Sequence, residues 1–148
     1  GFASHFAPDY LDEALHLYRS RFKPSAQLQA PRAMIGVNVV CADTSVEARR
    51  LFTTAQMSFC GIFRGVRGLS QPPIDDIGAY WTPREEAQVS RMLGCAVVGT
   101  PAEVKAGLSA LQERTGADEF IIVTDIWDPA ARRHSLALTA EAWGLQVE

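Results

Sequence analysis

The 148-residue sequence predicts an α/β fold on a parallel sheet, and three observations carry that prediction. Strand-like and helix-like stretches alternate along the chain, the order in which crossover helices join parallel strands. The strand candidates Met34–Ala42 (MIGVNVVCA) and Phe120–Ile126 (FIIVTDI) are apolar almost throughout, as strands covered on both faces must be. Between them stand two copies of one helix-opening signal, Thr-Pro-x-Glu, at Thr82 and Thr100.

Taken in order, Gly1–Pro8 (GFASHFAP) is an apolar, strand-like run from the first residue onward, so the fold is expected to begin within a larger sheet. Pro8-Asp9 introduces a helix with Leu11, Ala14, Leu15, Tyr18 and Phe22 on one stripe, ended by Lys23-Pro24. Met34–Ala42 follows, interrupted only by Asn38. Thr44 and Glu47 read as the two members of a capping box. The helix they open turns Leu51, Phe52, Ala55, Phe59, Ile62 and Phe63 inward and stops near Gly65. Residues 65–81 (GVRGLSQPPIDDIGAYW) are rich in Gly and Pro and have no period, which marks an irregular insertion of functional or mobile character. Helices then start at Thr82 and Thr100 and stop at Gly94 and Gly116, with Ala96–Val98 a short strand-like stretch between them. Phe120–Ile126 is the last strand. A final helix from Pro129 to Trp143 carries Leu136, Ala140 and Trp143 on its stripe, with Gly144 as terminator.

Composition narrows the function. The chain is 47% hydrophobic and 21% charged with a net charge of −3, ordinary for a globular protein. Its basic doublets, Arg49-Arg50 and Arg132-Arg133, fall on helix faces, so no nucleic-acid surface is expected. No apolar run approaches the roughly 20 residues of a membrane span. Cys41, Cys60 and Cys95 are odd in number and widely spaced, which points to reduced thiols in a cytoplasmic protein. The sequence has no dinucleotide fingerprint, P-loop, Gly-x-Ser-x-Gly elbow or metal-ligand cluster.

In α/β folds chemistry gathers at the carboxyl ends of strands. Three places qualify: Ser4-His5, Asp43-Thr44-Ser45, and Thr124-Asp125 with Trp127-Asp128. His5 is the main candidate, since an imidazole there can exchange a proton or a hydrogen bond near neutral pH; its bland role is to cap a loop. Thr44-Ser45 opens a helix and can hold a phosphate or simply cap it. Asn38 must find hydrogen-bond partners inside. Tyr80-Trp81 can cover a flat aromatic ligand or pin the insertion to its own domain.

Several segments together resemble the C-terminal part of the bacterial luciferase-like flavin-dependent monooxygenases. They are Gly1–Pro8 followed by a helix ending Leu17-Tyr18-Arg19, Met34–Asp43, Ser70–Ile74 (SQPPI), Val98-Gly99-Thr100-Pro101 and Ala117-Asp118-Glu119-Phe120. The likeness covers essentially the whole chain and keeps the order of the motifs. It implies a TIM (β/α)8 barrel of which residues 1–148 form one partial domain of about three βα units, with Gly1–His5, Met34–Ala42 and Phe120–Ile126 as the sixth, seventh and eighth strands. It further implies reduced FMN, in preference to a deazaflavin, acting with O2 on a small organic substrate, with a flavin reductase as partner. His5 is then the catalytic candidate, and Ser4, His5, Thr124 and Asp125 the cofactor-binding candidates. A complete barrel needs roughly 250 residues, so this chain is expected to cover its open face by self-association into a dimer or higher homo-oligomer. The alternative is a non-catalytic half-barrel interaction module without flavin.

Overall fold

A computed structural model describes residues 1–66 and 68–146. Its sheet has three parallel strands, β1 (Met34–Cys41), β2 (Val97–Gly99) and β3 (Glu119–Val123), in the order β2-β1-β3. The helices are α1 (Leu11–Arg21), α2 (Ser45–Phe63), α3 (Pro83–Met92), α4 (Pro101–Thr115) and α5 (Pro129–Ala142).

β1, buried along nearly its whole length, lies at the centre, whereas β3, expected to be covered on both faces, has no fully buried residue because it forms an edge of the sheet. The odd residues of β1, Ile35, Val37, Val39 and Cys41, are buried against Leu11 and Leu15 of α1 and Val104, Leu108 and Leu111 of α4. Each such aliphatic side chain contributes about 1.5–3 kcal/mol when fully buried. At the carboxyl end, Val40 and Ala42 on the opposite face pack against Ala48 and Leu51 of α2 and against Ile126. Lower on that second face lie Gly36 and Asn38, in register with Ile121 and Val123 of β3. Gly36 and Asn38 are buried, but Ile121 is 49% exposed, so the face is open at β3.

The expected first strand is reduced to one parallel bridge, Phe2 with Ile35. Phe2 N donates to Met34 O and Gly36 N donates to Phe2 O, both at 2.8 Å. The chain then turns at once, with the amides of Phe6 and Ala7 both reaching Ala3 O. Further along the same edge of β1, β2 takes over, and Ala42 N donates to Gly99 O. The short Ala96–Val98 signal is therefore a genuine strand, shifted by one residue. On the other edge β3 ends at Val123 instead of Ile126. There Cys41 N donates to Ser135 Oγ of α5 at 2.8 Å, a side chain standing where the next strand carbonyl would be.

The two Thr-Pro-x-Glu signals form complete capping boxes, and Gly116, at φ 58°, closes α4 in the left-handed conformation. The box expected at α2 is only half made. Thr44 accepts from Glu47 N, but the Glu47 carboxylate turns to Arg50, 3.6 Å away. Ile62 and Phe63 of α2, expected inward, are exposed because the helix outruns the sheet. On α5 the expected stripe of Leu136 and Trp143 is partly exposed, and the buried residues are instead Ser135 and Thr139. The helix packs on β1 and α4, which turns its polar Ser135 toward the sheet edge.

The insertion 65–81, apart from Arg67, which lies outside the described residues, has no helix or strand. It is nevertheless tied down. Thr54 Oγ1 donates to Gln71 O (3.0 Å), Ile74 N donates to Thr53 Oγ1 (2.9 Å), and Arg50 pairs with Asp75 at 2.7 Å. Tyr80 and Trp81 pack on Cys60, Val89 and Leu93, so this aromatic pair pins the segment to α2 and α3.

Candidate functional site

Of the predicted site residues, Ser4 and His5 are tied to β1 by hydrogen bonds. Ser4 is 1% exposed and its Oγ donates to Gly36 O at 2.6 Å, which bolts the turn after Phe2 to β1. The His5 carbonyl accepts from Asn38 Nδ2 at 2.6 Å, which supplies the partner that a polar residue inside an apolar strand requires. The imidazole lies over Gly36, where an added Cβ would collide with Nδ1. His5 Nδ1 is buried and has no hydrogen-bond partner among the described residues. An orphaned buried nitrogen of this kind costs about 1–3 kcal/mol, and an incoming hydrogen-bonding group would recover that.

Thr124 and Asp125 follow β3. Thr124 Oγ1 is the second buried side-chain atom left without a partner among the described residues. Since Val123 is in register with Asn38, and Asn38 binds the His5 carbonyl, the two candidate segments flank Asn38 from opposite edges of β1. Beyond them Ile126 is fully buried, and its carbonyl accepts from Arg132 Nε (3.0 Å) and Nη2 (2.6 Å), which fixes the path of Thr124 and Asp125. Arg132 was not foreseen from the sequence. Its doublet reads as a solvated helix face, and only the return of α5 brings it to the strand end.

The phosphate role of Thr44-Ser45 meets a carboxylate. Ser45 Oγ donates to Glu103 Oε2 at 2.6 Å, and the same oxygen accepts from Thr100 N at 2.7 Å. The Ser45 and Thr100 hydrogen bonds hold the Glu103 carboxyl below its ordinary range. The N-termini of α2, α3, α4 and α5 carry Glu47, Glu85, Glu103 and Asp128, so a negative charge already sits at the positive end of each. Burial, meanwhile, raises the Cys41 and Cys60 thiols, which suits inert core residues. Among the described residues no cluster of three His, Cys, Asp or Glu side chains suits a metal ion, and no helix is long and apolar enough to cross a membrane.

The arrangement is one face of a three-stranded parallel α/β layer on which, among the described residues, His5 Nδ1 and Thr124 Oγ1 are buried without partners. Over 140 residues, 95% of the chain, it is 44% identical to a protein of Escherichia coli strain K12 described as a luciferase-like monooxygenase. The chain is similar to luciferase-like monooxygenases. The resemblance read from the motifs thus holds over nearly the whole chain, although no protein-family model matches. The chain spans 42% of the length of that relative, an extent that fits a C-terminal part. It is also 38% identical over 142 residues to the uncharacterized protein YvbT of Bacillus subtilis strain 168, again covering 42% of it. Among solved structures, apo-MsnO8 superposes with a TM-score of 0.76 at 29% identity, covering 99% of this chain and 45% of that one.

Proposed function

We propose that the chain is the C-terminal part of a flavin-dependent, luciferase-like monooxygenase that oxidises a small organic substrate with reduced FMN and O2. The observation that carries this reading is the orphaned Nδ1 of His5, set at the end of the first chain segment in a chain 44% identical to a relative described as a luciferase-like monooxygenase. When bound, reduced flavin supplies the oxygen chemistry. His5 offers a hydrogen bond to the heteroatoms of the ring or to a substrate oxygen. Thr124 Oγ1 offers a second, and Asp125 borders the same strand end. Ser4, fully used by Gly36 O, acts by fixing the turn that carries His5. The flavin phosphate finds its helix N-termini already held by carboxylates, so its anchor belongs to the rest of the barrel, along with a flavin reductase as source of reduced cofactor. Alone, the chain is a weak or inactive enzyme, one partial domain of a cytoplasmic protein.

Titrating the purified chain with FMN, oxidised and dithionite-reduced, tests this reading. A saturable change in flavin fluorescence or absorbance that His5→Ala weakens is the expected result. A well-folded chain with no flavin affinity would favour a half-barrel interaction module, the reading supported by the open face at Ile121. That module would also use the groove of about 450 Å³ between β3 and α5, lined by Phe120, Ile122, Leu136, Trp143 and Leu145.

A further inference from the structure

We propose that Gly36 and Asn38 are positioning residues for the His5 imidazole, an inference that rests on the reading of His5 as a ligand-facing group. The two alternate along one face of β1, and each is committed to the turn that carries His5. A Cβ at Gly36 would collide with His5 Nδ1 and would stand 3.2 Å from Cε1 and 3.5 Å from Cγ, so the ring lies across the Gly36 α-carbon. Gly36 does not adopt a positive φ. The close approach of the imidazole, rather than the backbone conformation, is what excludes a side chain there. The main chain of Gly36 is fully engaged as well, its N–H with Phe2 O and its carbonyl with Ser4 Oγ. Asn38, 5% exposed in an otherwise apolar strand, uses its side-chain amide to hold the His5 carbonyl. Ring and backbone of His5 are therefore both set by β1, and Nδ1 is left buried and unpartnered among the described residues. That combination suits a planar ligand bearing ring nitrogens or carbonyls, the chemistry of a flavin ring, presented to a preset imidazole.

The test pairs an imidazole readout with a flavin readout. Gly36→Ala and Asn38→Ala are made alone and combined with His5→Ala, with Asn38→Ala, which deletes the amide donor without adding a charge, as the second variant should Gly36→Ala fail to fold. The ring nitrogens of His5, one of three histidines, are followed by ¹⁵N NMR and assigned with the His5→Ala chain. Both single variants are expected to move the His5 ring signals and to weaken reduced-FMN binding about tenfold, while adding no further loss in the His5→Ala background. Unmoved ring signals in a folded variant would overturn the positioning role. Equal extra losses with and without the imidazole would do the same. Shifted ring signals, together with flavin binding that ignores His5→Ala, would leave the positioning role standing and sink the flavin reading instead.

Discussion

Replacing Ser135 by alanine tests how the sheet is completed where β3 runs out. Cys41 is 1% and Ser135 0% exposed, and the 2.8 Å bond from Cys41 N to Ser135 Oγ satisfies an amide at the end of the central strand. With Ser135→Ala that N–H stays buried beside a methyl group, at a cost of about 1–3 kcal/mol. Alanine is the better helix former by about 0.5 kcal/mol, which leaves a net loss of about 0.5–2.5 kcal/mol. For a domain of this size, 1 kcal/mol corresponds to about 2–4 °C, so Tm should fall by about 1–10 °C. Urea unfolding followed by far-UV circular dichroism should show a lower midpoint with an unchanged slope. Amide exchange at Cys41 should quicken. If Ser135 merely fills space, deleting its hydroxyl from an apolar setting would leave stability unchanged or raise it, and either result would refute the strand-completion argument.

Three further outcomes follow from the structure. Hydrogen bonding from Arg64 holds the Glu85 carboxyl down at about 2, against an ordinary value of 4.5. Its contribution is therefore present above pH 4.5 and lost as pH falls toward 2, so Glu85→Gln should flatten that part of a plot of Tm against pH; an unchanged acid limb would show that the pair contributes nothing. In sedimentation velocity the 16.2 kDa chain should run as a dimer or larger, and Ile121→Glu on the open face should shift it toward monomer. A wild-type chain that stays monomeric at every concentration would contradict self-association. Thr54→Val removes the donor to Gln71 O at nearly constant volume, and subtilisin should then cut faster between residues 68 and 75. An identical digestion pattern would mean that Thr53 and Asp75 hold the insertion without it.

Local chemistry was enough to read much of this protein. The Thr82 and Thr100 capping boxes, the stops at Gly94 and Gly116 and the buried run of β1 stand where the residues place them, since each depends on neighbours within a few positions. The need of Asn38 for an internal partner was also legible, though not that the partner is the His5 carbonyl. The ordered motifs sufficed for the resemblance to luciferase-like monooxygenases, which the E. coli relative bears out. What depends on distant segments meeting was decided by tertiary structure. Phe2 keeps a single bridge because the chain turns away at Ala3, whose carbonyl takes the amides of Phe6 and Ala7, and Leu136 and Trp143 stay partly exposed because α5 lies at the margin of the sheet. Ser45 meets Glu103 across 58 positions, and Cys41 meets Ser135 across 94. Helical and strand periodicities report which face of an element is apolar, but the partner that covers that face, or fails to, is fixed only when the layers pack.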